Sequence, residues 1–367
     1  MTRATSGPLR VGLVIGQLST GGAEGQLRVL CEGFDRRRIA PTVYCLSAET
    51  SPVGPQLEQA GIAVRVISGG RIGRVGALRR ALSADRIQVV HAWLFIANAY
   101  AWAATRGGGP VLVASARNCK RSGRVLDAVN RRAFRASGMI LVNSERVGRY
   151  IERQYGAPRA RIELVYNAID VERFRPRAEP GPGGESAPRI IMISRLVTQK
   201  NPRLFVEGAR RLRALLPAAR FQLVGDGPLR PAVQRWIADA GLAGCVELLG
   251  ERSDVPELLR AADLFWLTSD WEGLPNVVLE AMASGLPVVA TDVGGTAELV
   301  TSDVEGALFA AGDCEALVAR SAAILTDAGR LAAMRRASRR RAEAFSVPRM
   351  VAATEAVYAR ALEGRAA

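Results

Sequence analysis

Twice along this chain, short apolar runs alternate with stretches of helical period, and a Pro/Gly-rich break separates the two series. In the first half the runs fall at 9–15, 42–46, 63–67, 89–90, 111–114 and 139–142. After the break they return at 189–193, 220–224, 246–249, 264–267 and 288–291, with helical patterns at 202–216, 229–240 and 276–283. Strands alternating with helices imply parallel βαβ units and doubly wound sheets, an α/β fold. A chain of 367 residues is too long for one comfortable core and suits two domains. We expect a Rossmann-like domain over 1–178, a linker at 179–188 and a second Rossmann-like domain over 189–345. A separate helical pattern, 347–362, follows a kink expected at Pro348. In such sheets ligands bind beyond the carboxyl ends of the strands. The loops that follow the strands are therefore the places to look for chemistry.

The loop and helix at 269–285, SDWEGLPNVVLEAMASG, carry the sharpest signal. A strand runs into a loop, and a helix is expected to open at Asn276, a good N-cap residue. The free N–H groups and positive end of that helix would form a ready anion site for a diphosphate. Glu272 lies before the helix and Glu280 about one turn into it. Carboxylates beside an anion site make sense if they accept hydrogen bonds from hydroxyls, such as the vicinal diol of a ribose or a sugar ring. The plain alternative is a helix-surface Glu and an unrelated loop charge.

Three further loops add to this. In 194–202, SRLVTQKNP, Arg195 and Lys200 sit between a strand and a helix that Asn201 caps, with Pro202 at its first position. Two cations there could neutralise a diphosphate leaving group. Gly21 and Gly22 follow the first strand and open a helix. Glycine permits close backbone approach and positive φ, and the spacing is not that of a dinucleotide-binding loop. His91, the one histidine, is placed just after a short strand. A lone histidine there is either structural or catalytic, and His91 is the catalytic candidate alongside Glu272.

Together these segments resemble glycosyltransferase family 4, and the resemblance covers essentially the whole chain. Glu272 to Glu280 is similar to the family's E-x-seven-E motif, 194–200 to its R-L-x-x-x-K element and 21–24 to its GGAE loop. The segments 165–170, VYNAID, and 224–228, VGDGP, also fit, with Ala168 replacing a family glycine. The resemblance implies a GT-B fold: two Rossmann-like domains facing across a cleft, with the C-terminal segment 346–367 crossing back onto the first. It implies that Glu280 holds the ribose hydroxyls and Glu272 contacts the donor sugar. Arg195 and Lys200 would grip the diphosphate, helped by backbone N–H groups around Gly22 and from Gly273 through Leu274 to Asn276. The family retains anomeric configuration and needs no divalent metal, and no D-x-D motif is present here. The co-substrate would be a nucleotide-sugar donor and the acceptor a glycan or polyprenyl-linked molecule. His91 stands where the family often reads H-x-H, but the second position is Trp93.

The net charge of +15 attracts polyanions without choosing among them. Residues 117–135 hold seven cations and one Asp, and Arg71, Arg74, Arg79, Arg80 and Arg86 form a second basic stretch. We expect these surfaces to meet an anionic membrane face or a polyprenyl-diphosphate-linked acceptor. Nucleic acid is not expected: aromatic residues are 5% and no helix-turn-helix, zinc or stacking signature is present. Five scattered cysteines form no C-x-x-C pair, which favours free thiols in a reducing cytoplasm. No apolar segment precedes the first strand, so no secretory signal is expected. A cytoplasmic enzyme, peripheral to the membrane, is the resulting expectation. A sugar-nucleotide epimerase and a non-catalytic sugar-nucleotide-binding relative are the competing readings.

Overall fold

The computed structural model describes residues 7–119, 123–177 and 187–366. Most of the expected linker at 179–188, and Lys120 and Arg121 of the basic run, lie outside the described residues. Two compact units are present: 1–168 together with 347–367, and 169–346.

The first unit runs β1 (Leu9–Ile15), α1 (Gly22–Gly33), β2 (Ile39–Cys45), α2 (Val53–Gln59), β3 (Ala63–Val66), α3 (Arg71–Ala84) and β4 (Val89–Trp93). It continues through α4 (Leu94–Thr105), β5 (Val111–Ala116), α5 (Arg124–Ala136), β6 (Met139–Val142), α6 (Glu145–Tyr155) and β7 (Ile162–Leu164). The seven strands order as β3-β2-β1-β4-β5-β6-β7, all parallel. Helices cover both faces, which is why β4, β5 and β6 are buried at every residue, and β6 reads as a continuous apolar run.

The second unit runs β8 (Arg189–Ile193), α7 (Pro202–Leu215), β9 (Arg220–Val224), α8 (Arg230–Asp239), β10 (Val246–Gly250), α9 (Val255–Ala261) and β11 (Leu264–Leu267). Then come α10 (Asn276–Ala283), β12 (Val288–Thr291), α11 (Thr296–Leu299), β13 (Gly306–Phe309), α12 (Cys314–Leu325) and α13 (Ala328–Glu343). Its six parallel strands order as β10-β9-β8-β11-β12-β13. Side-chain caps start several helices where the sequence supplies them: Asn201 accepts from Leu204 N, Asp313 from Ala316 N and Asp327 from Arg330 N.

The last helix, α14 (Val347–Ala366), packs on α1, β5 and β6 and belongs to the first unit. Its buried face, Met350, Val351, Thr354, Val357, Tyr358 and Ala361, follows helical spacing. Pro348 lies in its first turn, where a missing N–H costs nothing, so it starts the helix rather than kinking one.

The division between units falls after Ala168, ten residues before the expected limit at 178. Residues 169–177 are held by the second unit instead. Ile169 N donates to Phe345 O at 2.8 Å, and one nitrogen of Arg339 donates to the carbonyls of Val171, Phe174 and Ala283, each at 2.9 Å. That anchor sits 165 or more residues away in sequence from the segment it holds, which a local reading cannot see.

Candidate active site

The second sheet reverses its order between β8 and β11. At such a point the loops of adjacent strands diverge and open a crevice at the carboxyl end. The loop after β8 carries Arg195 and Lys200. The loop after β11 carries Glu272 and leads into α10 with Glu280. The switch point thus gathers all four residues at one edge of the unit.

The two loops are bonded along their length. Asp270 N donates to Gln199 O at 2.8 Å, and Gln199 Nε2 to Trp271 O at 2.8 Å. Asn201 Nδ2 donates to Asp270 Oδ1 at 2.9 Å, and Thr268 Oγ1 lies 2.9 Å from Lys200 O. From the neighbouring strand end, Thr291 Oγ1 donates to Ser269 O at 2.7 Å and Gly295 N to Gly273 O at 2.5 Å. Three strand ends therefore fix the backbone around Glu272.

Glu272 is buried. It accepts from Ser269 Oγ at 2.7 Å and forms a close ion pair with Lys200 Nζ. Lys200, expected to be free for a diphosphate, is thus neutralised by the second residue of the same site. Arg195 is exposed and its side chain makes no hydrogen bond or ion pair among the described residues. It is the available cation. The Glu280 side chain is partly buried and has neither hydrogen bond nor ion pair among the described residues. Burial pushes its carboxyl up to about 7, with Arg173 opposing. A carboxylate held half out of water with no donor is costly by itself and suited to a ligand that brings hydroxyls.

Asn276 is not the cap of α10. Pro275 is the N-cap residue, with φ −76° and ψ 110°, and Asn276 is already helical. The proline holds the last extended residue, so the helix opens directly after it and its positive end has no side-chain cap. Leu274 is buried between Gly273 and this start.

Two glycine loops complete the site: the 224–228 segment and the loop that holds Gly294. Gly225 has φ +121° and Gly227 φ +156°. A Cβ on Gly225 would collide with Ser194 O, and one on Gly227 would lie 2.6 Å from Leu196 O. Leu196 N donates to Asp226 O at 2.8 Å, so this loop presses on the backbone flanking Arg195. Gly294, φ +58°, lies against the Glu272–Gly273 peptide. The signal was available: both are glycines directly after a strand and before a helix, the same grammar as the other loops.

In the first unit the sheet reverses between β1 and β4. Gly21 and Gly22 start α1 after β1, but neither has positive φ, and Gly21 is extended at φ −168°. Gly21 is small for another reason. The Glu24 carboxylate occupies the space its Cβ would take.

His91 does not follow the strand. It lies inside β4, is fully buried, and its Nδ1 is 2.8 Å from Tyr358 Oη on α14. Burial, reinforced by Arg117, holds its pKa well below the usual histidine range, so the ring is neutral. The strand extends through His91 and Trp93 because each polar ring is accommodated: His91 by Tyr358, Trp93 by the Arg117 guanidinium 3.7 Å from its ring centre. A ring sealed from solvent does not have the setting of a catalytic group. Arg117 and Asn167 stand in the basic run 117–135 and the segment 165–170, Tyr358 in neither, and only the fold brings them together around His91.

Among the described residues no three His, Cys, Asp or Glu side chains group as a metal site, and no helix is long and apolar enough to cross a membrane.

Residues 20–173 match the family model described as Glycosyltransferase Family 4, and 187–327 the model described as Glycosyl transferases group 1. EpsF of Bacillus subtilis, which carries a glycosyltransferase name, is 30% identical over 309 residues, 77% of this chain and 79% of EpsF. The lipopolysaccharide core biosynthesis mannosyltransferase LpsB of Rhizobium meliloti is 35% identical over 209 residues, 53% of this chain and 60% of LpsB. A UDP-Gal:alpha-D-GlcNAc-diphosphoundecaprenol alpha-1,3-galactosyltransferase of Escherichia coli is 33% identical over 168 residues, 43% of each chain. The chain spans about half the length of these last two relatives. Among solved structures, Anabaena HepE in complex with UDP-glucose has a TM-score of 0.84 at 22% identity, covering 96% of this chain and 100% of HepE. The lipopolysaccharide outer core galactosyltransferase WaaB has a TM-score of 0.75 at 16% identity, covering 95% of this chain and 99% of WaaB. With two parallel α/β units of GT-B type and matches to both halves, the chain belongs to glycosyltransferase family 4.

Proposed function

We propose that this chain is a retaining glycosyltransferase that moves a sugar from a nucleoside-diphosphate sugar to a glycan or lipid-linked acceptor in cell-surface polysaccharide assembly. The observation that carries this is the placement of Arg195, Lys200, Glu272 and Glu280 on the two segments that leave the switch point of the second sheet, with Lys200 paired to Glu272. Glu280, without a donor of its own, accepts from the ribose hydroxyls. The diphosphate lies by Arg195 and the uncapped start of α10. Lys200 turns from Glu272 to a phosphate oxygen, and Glu272, still held by Ser269, contacts the donor sugar. As the bond from the anomeric carbon to phosphate breaks, charge grows on the leaving diphosphate and both cations stabilise it. These cations supply the charge a divalent ion would otherwise bring, so turnover is expected to survive EDTA. A loss restored by magnesium or manganese would count against that.

The names of the relatives support a surface-polysaccharide setting and a diphosphate-linked acceptor. Peripheral attachment to an anionic membrane is supported by the first unit. Val66, Ile72, Ile96 and Val125 are exposed apolar side chains at the end of β3 and the starts of α3, α4 and α5, near exposed Arg71 and Arg124. Loss of binding to phosphatidylglycerol vesicles in Ile72→Glu plus Val125→Glu, or in Arg131→Glu plus Arg132→Glu, is the expected result. Unchanged sedimentation of both would reject attachment.

The deciding experiment is thermal shift against UDP, GDP, ADP and their common sugars on wild type and Glu280→Ala. Stabilisation by one series, lost in the variant, is expected. NMR of the product should then show the donor's anomeric configuration kept. Binding without any product would make the chain a non-catalytic relative, and no binding would reject the donor site.

A further inference from the structure

Arg117, directly after β5, is a cation without an anion. Its guanidinium stacks over Trp93, and Nη1 donates to Asn167 Oδ1 at 2.8 Å. Its Nε is buried without a partner, and no carboxylate pairs with it among the described residues. Beneath it, Trp93 Nε1 and His91 Nε2 are also buried and unpartnered. The three side chains are contiguous: the rings of His91 and Trp93 lie 5.1 Å apart and the guanidinium sits 3.7 Å above Trp93. Two of these orphaned atoms, Arg117 Nε and Trp93 Nε1, can only donate. Native structures leave few buried donors unpaired, and a group of them beside an uncompensated cation needs explaining. Arg117 as a residue is only partly buried. Desolvation lowers its pKa to about 9, which leaves it charged at neutral pH.

We infer that the first unit holds an oxyanion site centred on Arg117 that takes a phosphate group of the acceptor. Arg117 supplies the charge and a planar donor face, and stacking on Trp93 with the Asn167 bond fixes its orientation. The second unit has its own cations, Arg195 and Lys200, for the donor diphosphate, so a second oxyanion site serves a second phosphorylated molecule. The identification of that molecule as acceptor rests on the transferase reading above; the oxyanion site itself does not.

The test uses the full chain saturated with UDP, GDP and ADP together, then titrated with inorganic pyrophosphate, following melting temperature and tryptophan fluorescence. A further rise in melting temperature with a fluorescence change is expected. Arg117→Gln should lose both and Arg117→Lys keep the first, while Trp93→Phe loses only the fluorescence change. Arg195→Ala should keep both, because its cation belongs to the donor. A pyrophosphate response that survives Arg117→Gln, or is absent from wild type, would overturn the site. So would a response lost in Arg195→Ala alone, which would place the anion at the donor cations. With a diphosphate-linked acceptor, Arg117→Lys should raise the acceptor KM about tenfold, equivalent to about 1.4 kcal/mol, and leave the donor KM unchanged. Failure of the transferase reading would show separately, as wild type without any nucleotide response.

Discussion

Glu280 and His91 show burial acting on two titratable groups in opposite ways. Burial raises Glu280 to about 7. Its ionised form is the one that accepts from a diol, so nucleotide affinity should fall about tenfold as pH drops from about 8 to about 6. Glu280→Gln should bind weakly and without that pH dependence, as titration calorimetry would show. Burial lowers His91, so the unfolded chain binds a proton that the folded one does not. The sign follows: its stability is fully present above about pH 6.5 and is lost as pH falls below, at about 1.4 kcal/mol per pH unit. Urea unfolding of wild type and His91→Gln should show this slope in wild type alone. Tyr358→Phe removes the hydrogen-bond partner of Nδ1 and should cost about 1–3 kcal/mol in the same assay. The carboxylates and cations of the second unit were legible as single residues because their spacing around a strand end is local. The setting of His91 was not, because Tyr358 stands 267 residues further on.

At the scale of elements, the apolar period located nearly every strand, and 9–15, 139–142, 189–193, 220–224, 264–267 and 288–291 match their observed bounds. The misses have local causes. β4 was cut short by a histidine and a tryptophan that tertiary partners accommodate, β7 has only three residues, and β13 opens on a glycine that interrupts the apolar run. The loops are less legible than the strands, since what holds them is one loop pressing on another. Gly225 and Gly227 illustrate this: each combines positive φ with a backbone neighbour where a Cβ would go. Gly227→Ala should therefore cost more than about 1 kcal/mol and displace the Arg195 loop. Weaker nucleotide binding with Arg195 intact is the expected readout; unchanged binding and melting would show that this loop is not held by Gly227.

For the molecule as a whole, the last helix completes the core of the unit that begins the chain. Met350, Val351, Val357, Tyr358 and Ala361 share one apolar cluster with residues of β1, β4, β5 and β6. A chain ending at Ser346 should leave that cluster open and lose protection of the first sheet in hydrogen exchange, while 169–346 keeps its own. Equal protection of both units in the truncated chain would show that α14 is dispensable. Arg339 has the matching role in the second unit, where it joins 171–174 to the end of α10. Its change to Ala should loosen that segment, and with it Arg173 opposite Glu280.

By itself the sequence determined two parallel α/β series, their strands and the polar loops that follow them. Those depend on the period of apolar residues and on glycine, proline and cap chemistry, all of which act within a few residues. Only the tertiary structure decided which unit 169–177 joins, that Lys200 rests on Glu272, and that His91 is a core residue beneath a stacked, unpaired Arg117. Each of these is a pairing across dozens to hundreds of residues, where burial removes water and a polar group must find whatever partner the fold brings to it.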